Sequence, residues 1–108
     1  MSEQITKDNF KTEVLGVPGV VLADFYSETC VPCKRIAPVL AELEEDYEGA
    51  VKIAKVNVNN DAELAAEYGI QAVPTIIFFK DGEEKSRTVG LTGKEELAAA
   101  IDGLNNAQ

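Results

Sequence analysis

Cys30 and Cys33 are the residues of this chain whose type and spacing most clearly suggest chemistry. They are the only cysteines in 108 residues, and only Val31 and Pro32 separate them. Thiols at this spacing can reach each other and interconvert between a dithiol and a disulfide. An apolar, strand-like run over 20–26 precedes the pair and a helical pattern follows it. This context favours a site that makes and breaks disulfides.

The predicted position of Cys30 indicates how the two thiols differ. At or just before the first turn of a helix, unpaired backbone amides and the positive end of the helix dipole lower the pKa of a thiol. Cys33 lies one turn further along the same side, where we expect a more buried and more protonated thiol. We therefore predict that Cys30 attacks a target disulfide and that Cys33 resolves the mixed disulfide. The protein is left with a Cys30–Cys33 bond that an outside donor must reduce.

Two other roles for the cysteines fit the sequence less well. A bond that closes so short a loop restricts the unfolded chain by only about 2 kcal/mol, and the cytosol reduces ordinary disulfides. A structural zinc site takes four ligands, whereas this chain offers two thiols and no histidine. We therefore expect no metal and no cofactor.

Asp24 lies in the strand that delivers the cysteines, on the same side as Val20 and Leu22. If helices cover both faces of the sheet, this carboxylate is buried and its pKa rises. It is then suited to accept the proton of Cys33 as that thiol attacks. Lys55, in the next strand, is its expected partner. The strand pattern supports an ordinary buried ion pair equally well.

The remaining elements follow from hydrophobic periodicity and turn residues. Helices are predicted over 7–15, 31–47, 60–69 and 92–104, and strands over 20–27, 51–58, 76–80 and 84–90. Strands separated by helices pair in parallel, and the Asp81-Gly82 hairpin adds an antiparallel pair. The chain is therefore predicted to be one α/β domain over 1–108, with a mixed sheet and helices on both faces.

Two helix starts are predicted from capping residues. Asn60 with Glu63 suits the start of the short third helix, and Thr92 with Glu95 reads as a capping box for the last helix.

The charge of the chain excludes some classes of partner. A formal net charge of −9 disfavours binding to nucleic acid and to anionic lipid. The first residues do not read as a signal peptide, and no apolar run approaches the ~20 residues of a membrane helix. We therefore expect a cytoplasmic protein that binds neither nucleic acid nor membrane.

The chain resembles the thioredoxin family over roughly residues 5–104. Several well-spaced motifs occur in the family's order, which makes the resemblance specific. They are Ala23-Asp24-Phe25, the run from Cys30 to Lys34, Pro38, Ala54-Lys55-Val56, Gly69-Ile70, Val73-Pro74-Thr75, Lys80-Asp81-Gly82 and Val89-Gly90. The resemblance implies the thioredoxin fold, a central mixed five-stranded sheet flanked by four helices.

The same resemblance implies a function and a set of roles. The chain is expected to be a monomeric protein-disulfide reductase, itself reduced by a thioredoxin reductase of the NADPH-dependent flavoprotein type. Cys30 is the attacking thiol, Cys33 the resolving thiol, and Asp24 with Lys55 the buried proton-handling pair. Pro74 resembles the family's cis-proline beside the disulfide. The substrate-binding residues are then Thr29, Val31, Pro32, Val73, Pro74 and Gly90, in a groove where the target docks partly by strand-like pairing.

Thr29 and Val31 depart from the family pattern, which usually has tryptophan and glycine at these places. Thr29 removes a flat apolar surface beside the thiol and adds a hydroxyl, whereas Val31 is stiff at χ1 and can crowd Cys30. The dipeptide between the cysteines tunes the redox potential in this family. Two alternatives therefore stay open: a thiol oxidase or isomerase with an altered potential, and a thioredoxin-fold subunit that binds a partner without turnover.

Overall fold

The structure, a computed structural model, describes residues 3–106, so Met1, Ser2, Ala107 and Gln108 of the predicted 1–108 domain lie outside the described residues. The strands are β1 (Glu3–Gln4), β2 (Val20–Tyr26), β3 (Val51–Asn57), β4 (Thr75–Lys80) and β5 (Glu83–Val89). The helices are α1 (Lys7–Phe10, continued by a π-helical segment over Lys11–Leu15), α2 (Val31–Asp46), α3 (Ala62–Glu67) and α4 (Lys94–Asn105).

The sheet has five strands in the order β1-β3-β2-β4-β5. β1 and β2 pair with β3 in parallel, whereas β4 pairs antiparallel with both β2 and β5. The periodicity of the residues located the last four strands but not β1, because two residues carry no readable pattern. The predicted α/β thioredoxin fold is confirmed.

Helices cover both faces of the sheet, as the continuous burial of β2 from Val20 to Phe25 requires. One face packs against α1 and α3 through Val21, Ala23, Phe25, Phe10 and Leu64. The opposite face packs against α2 and α4 through Val20, Leu22, Ile36, Leu40, Leu97 and Ile101. Asp24 has the parity of Val20 and Leu22, so it belongs to the face that α2 covers. This arrangement brings the carboxylate beneath the helix that carries Cys33.

Both predicted capping arrangements are wrong in detail. The third helix spans Ala62–Glu67 and not the predicted 60–69, and its N-cap is Asp61 and not Asn60: the Asp61 carboxylate accepts the amide of Leu64 at 3.1 Å. Gly93 precedes the last helix without a side-chain cap. Thr92 instead donates its hydroxyl to the carbonyl of Gly90 at 3.1 Å. A short side chain of this kind bonds to whichever backbone group its local turn presents.

The predicted hairpin joins β4 to β5 at Asp81 and Gly82, with φ of 51° and 84°. Two consecutive positive φ values are typical of the type I′ turn, which Asp-Gly favours. None of the helices within residues 3–106 is both long and apolar enough to cross a bilayer.

Candidate active site

The two cysteines lie where β2 gives way to α2. Their sulfurs are joined in a disulfide, and their Cα atoms are 5.2 Å apart. Cys30 is the N-cap of α2, and its sulfur accepts the backbone amide of Cys33 at 3.1 Å. Pro32 lies in the first turn of α2, where its missing amide costs no helical hydrogen bond. The position of Cys30 at the N-terminus of α2 is the one that the sequence predicts.

The two sulfurs differ in their access to solvent. Cys33 is 4% exposed, whereas Cys30 is only half-buried. Cys33 shares the inward stripe of α2 with Ile36 and Leu40, since the three residues lie at helical spacing. Val31 and Pro32 lie on the outside of the same turn. An incoming disulfide therefore meets Cys30 first.

The loop before β4 packs against Cys30 from the other side. The Cys30 sulfur lies 3.6 Å from the carbonyl oxygen of Val73, and the Val73–Pro74 peptide is cis. Gly90, at φ 86°, donates its amide to the carbonyl of Pro74 at 2.8 Å. Pro74 is buried, whereas Val73 and Gly90 are half-buried. The structure thus brings Val73, Pro74 and Gly90, three of the six predicted groove residues, together beside the disulfide.

Sequence reasoning missed two apolar residues at this edge. Val89 and Leu91 are 60% and 52% exposed, and Val31 is 64% exposed. They are the large hydrophobic side chains that protrude from the described part of the chain, and Val89 and Leu91 flank Gly90. One sequence feature could have indicated them: an apolar residue lies on each side of Gly90, at the end of an edge strand whose other residues are polar. Because Gly90 between them bonds to Pro74, which follows the Val73 carbonyl beside Cys30, we call Val89 and Leu91 the apolar rim.

Asp24 is 1% exposed, and within the described residues neither of its carboxylate oxygens has a hydrogen-bond partner. The Lys55 ammonium lies 3.7 Å from Oδ2, an ion-pair distance that is too long for a hydrogen bond. The two residues are also direct neighbours in the β2–β3 register. Burial raises the pKa of Asp24 from 3.8 to about 6, while the attraction of Lys55 opposes that rise.

Lys55 is held on its other side by an aromatic ring that the sequence did not assign. Its ammonium lies 4.7 Å from the centre of the Tyr26 ring, and the Tyr26 hydroxyl bonds to Gln4 at 3.2 Å. A cavity of about 360 Å³ beside them is lined by Tyr26, Cys33 and Lys55, among others. Cys33 and Lys55 therefore line the same cavity.

Replacing Lys55 by glutamine is expected to raise the pKa of Asp24 beyond about 6, because Lys55 favours the charged carboxylate. Titration of the Asp24 carboxyl carbon by NMR measures this directly. Lys85→Gln is the matched control, since Lys85 pairs with Glu83 on the distant edge strand. A carboxyl pKa that stays the same or falls in the Lys55 variant would contradict the assigned ion pair.

Comparison with known proteins gives one consistent family. The thioredoxin family model matches residues 1–103. The chain is 42% identical over 105 residues to a thioredoxin of Pseudomonas aeruginosa, covering 94% of this chain and 97% of that one. It is 38% identical over 107 residues to a thioredoxin of Rickettsia felis, covering 99% of each. It is 45% identical to thioredoxin C-2 of Corynebacterium nephridii, covering 90% of each.

These matches span nearly the whole chain, and the disulfide at the strand–helix junction is the feature that the family's chemistry requires. A thioredoxin acts on protein substrates and is reduced by a thioredoxin reductase. The chain belongs to the thioredoxin family of thiol-disulfide oxidoreductases, which reduce protein disulfides.

Proposed function

We propose that Cys30 is the attacking thiol of this reductase and that Cys33 is the resolving thiol. The observation that carries the assignment is the asymmetry of the pair: Cys30 is half-buried and accepts an amide at the helix N-terminus, whereas Cys33 is 4% exposed. The Cys30 thiolate forms a bond to one sulfur of the target disulfide, and the other target sulfur leaves as a thiolate. Cys33 loses its proton and attacks Cys30, which releases the second target thiolate and leaves the protein oxidised.

We assign the proton of Cys33 to Asp24. The Asp24 pKa of about 6 gives a carboxylate that is mostly ionised at neutral pH and basic enough to take a proton. The positive charge of Lys55 favours the ionised form of this buried carboxylate. Asp24 lies on the sheet face that α2 covers, and Cys33 lies on the inner side of α2. Lys55, which pairs with Asp24, lines one cavity with Cys33, which supports the closeness of the carboxylate and the thiol.

We assign target docking to the surface around Cys30, formed by Thr29, Val31, Pro32, Val73, Pro74 and Gly90. Val89 and Leu91 extend it with exposed apolar area, which suits the burial of a target side chain. An extended target segment beside Val73 would pair its backbone with the chain, as strands do.

We further propose one domain over 1–108, monomeric and cytoplasmic, whose electron donor is an NADPH-dependent flavoprotein reductase. The high charge of −9 supports a protein that stays apart from other copies of itself and from anionic membranes.

The donor and the direction of electron flow are tested together. Catalytic amounts of an NADPH-dependent thioredoxin reductase and the protein should couple NADPH oxidation to insulin reduction, and omission of either protein is the control. Equilibration with glutathione buffers should give a potential near about −270 mV. A potential near about −120 mV would favour the thiol oxidase instead. A protein that no reductase reduces, yet that copurifies with one partner, would favour the binding subunit.

A further inference from the structure

The segment that delivers Cys30 is tied to the loop after β3 by side chains. The amide nitrogen of Asn59 donates to the hydroxyl of Ser27 at 3.1 Å. The backbone amide of Thr29 donates to the same hydroxyl at 3.4 Å, and the hydroxyls of Ser27 and Thr29 lie 3.2 Å apart. Ser27 is 9% exposed, whereas Thr29 is exposed and directly precedes Cys30. Three side chains thus form a chain of hydrogen bonds from Asn59 to the surface beside the nucleophile.

The direction of this chain follows from the donor and acceptor inventory of a hydroxyl. A serine oxygen accepts through two lone pairs and donates one proton. In Ser27 both lone pairs meet N–H groups, which can only donate. Its single proton therefore goes to the Thr29 oxygen. Thr29 accepts that bond, so its own hydroxyl proton remains for a group outside these three residues.

We propose that Asn59, Ser27 and Thr29 form a polarised hydrogen-bond relay that presents the Thr29 hydroxyl as a donor to the docked target. The relay rests on the proposed docking surface and deepens it by naming a chemical feature of the target. That feature is a hydrogen-bond acceptor next to the target disulfide, which a peptide carbonyl supplies. Asn59 and Ser27 are positioning residues, and Thr29 is the residue that touches the target.

The relay makes an unusual prediction for Asn59→Asp. A carboxylate has no proton to donate, so it accepts the proton of Ser27, and the freed lone pair of Ser27 then accepts the proton of Thr29. The substitution therefore turns the relay around without removing an atom from Thr29. Thr29→Val removes the hydroxyl and keeps the shape, whereas Thr29→Ser keeps the hydroxyl.

The test uses the prereduced protein and two disulfides. One is a disulfide-linked peptide with backbone carbonyls, and the other is diethyl disulfide, which has no hydrogen-bond acceptor other than sulfur. We expect Thr29→Val and Asn59→Asp to slow reduction of the peptide by about two- to tenfold, the effect of one neutral hydrogen bond. Thr29→Ser, which keeps the hydroxyl donor, should reduce the peptide faster than Thr29→Val does. The double variant Thr29→Val, Asn59→Asp should be no slower than Thr29→Val alone, because both changes remove the same donor.

The rate constants for diethyl disulfide separate this role from a general effect on Cys30. For diethyl disulfide, Thr29→Val and Asn59→Asp should lose clearly less rate than they lose on the peptide. Asn60→Asp, which adds the same charge one residue further along, should match wild type on both substrates. Equal losses on the two substrates, or a wild-type rate for Asn59→Asp beside a slow Thr29→Val, would overturn the relay. A wild-type protein that reduces neither disulfide would overturn the proposed function together with the relay.

Discussion

Cys30→Ser is expected to lower the reduction of protein disulfides on the order of 10³-fold or more, because it removes the nucleophile itself. A serine hydroxyl is not ionised at neutral pH and forms no disulfide bond. Cys33→Ser is expected to keep the first attack and lose the second. It should therefore accumulate mixed disulfides between Cys30 and its targets, seen by non-reducing electrophoresis and mass spectrometry.

The difference between the two variants is the informative result. The Cys33→Ser trap uses the buried position of Cys33, which is 4% exposed and so plays no part in the first encounter with the target. A double Cys30→Ser, Cys33→Ser variant is the control for non-specific capture. Survival of insulin reduction in Cys30→Ser, or traps that form through Cys33 when Cys30 is absent, would contradict the assigned roles.

Asp24→Asn is expected to be more stable than wild type at neutral pH by about 3 kcal/mol. The pKa of Asp24 is about 6 in the folded protein and 3.8 as its ordinary value. The difference of about 2.2, at about 1.4 kcal/mol for each pKa unit, gives ~3 kcal/mol. The physical cause is that folding buries a carboxylate whose oxygens lack hydrogen-bond partners within the described chain.

The pH window of this effect follows from the direction of the shift. The folded protein binds the proton more tightly than the unfolded chain, so stability falls as the pH rises. Asp24 contributes no penalty below about pH 3.8, and the full penalty is present above about pH 6. Urea unfolding of the oxidised proteins should therefore give a gap between Asp24→Asn and wild type that is small near pH 3.8 and opens toward pH 7.

A neutral substitution beside Asp24 provides the control. Ile76 pairs with Asp24 across β2 and β4, so Ile76→Val perturbs the same place without a titrating group. It should cost about 0.5–1.5 kcal/mol at every pH. A gap for Asp24→Asn that does not change with pH would contradict the shifted pKa. Asp24→Asn should also slow the attack of Cys33 on Cys30 above pH 6, because it removes the proposed proton acceptor. The residue that lowers stability is then also the residue that serves the second chemical step.

Local patterns in the sequence predicted much of the site. Cys30 and Cys33 stand where a continuous apolar run, typical of a buried strand, changes to a helical pattern, which predicts the N-cap position of Cys30 and the inward side of Cys33. The alternation along β2 and β3 likewise placed Asp24 and Lys55 on one face. Such features depend on residues close together in the chain, so the sequence alone predicts them.

Contacts between distant segments needed the tertiary structure. The Val73 carbonyl lies beside Cys30 although 43 positions separate the residues, and Asn59 reaches Ser27 across 32 positions. The exposed rim of Val89 and Leu91 and the ring of Tyr26 over Lys55 are decided in the same way. Each depends on which loops meet at one edge of the sheet, and no local periodicity encodes that meeting.

The chain by itself thus determined the chemistry of the thiol pair, because helix capping and strand alternation are local properties. The tertiary structure decided what surrounds the pair: the carbonyl against Cys30, the apolar rim and the polarity of the Thr29 hydroxyl. Packing brings these groups together from segments that are distant in the chain, and the local pattern of one segment does not predict its contact with another.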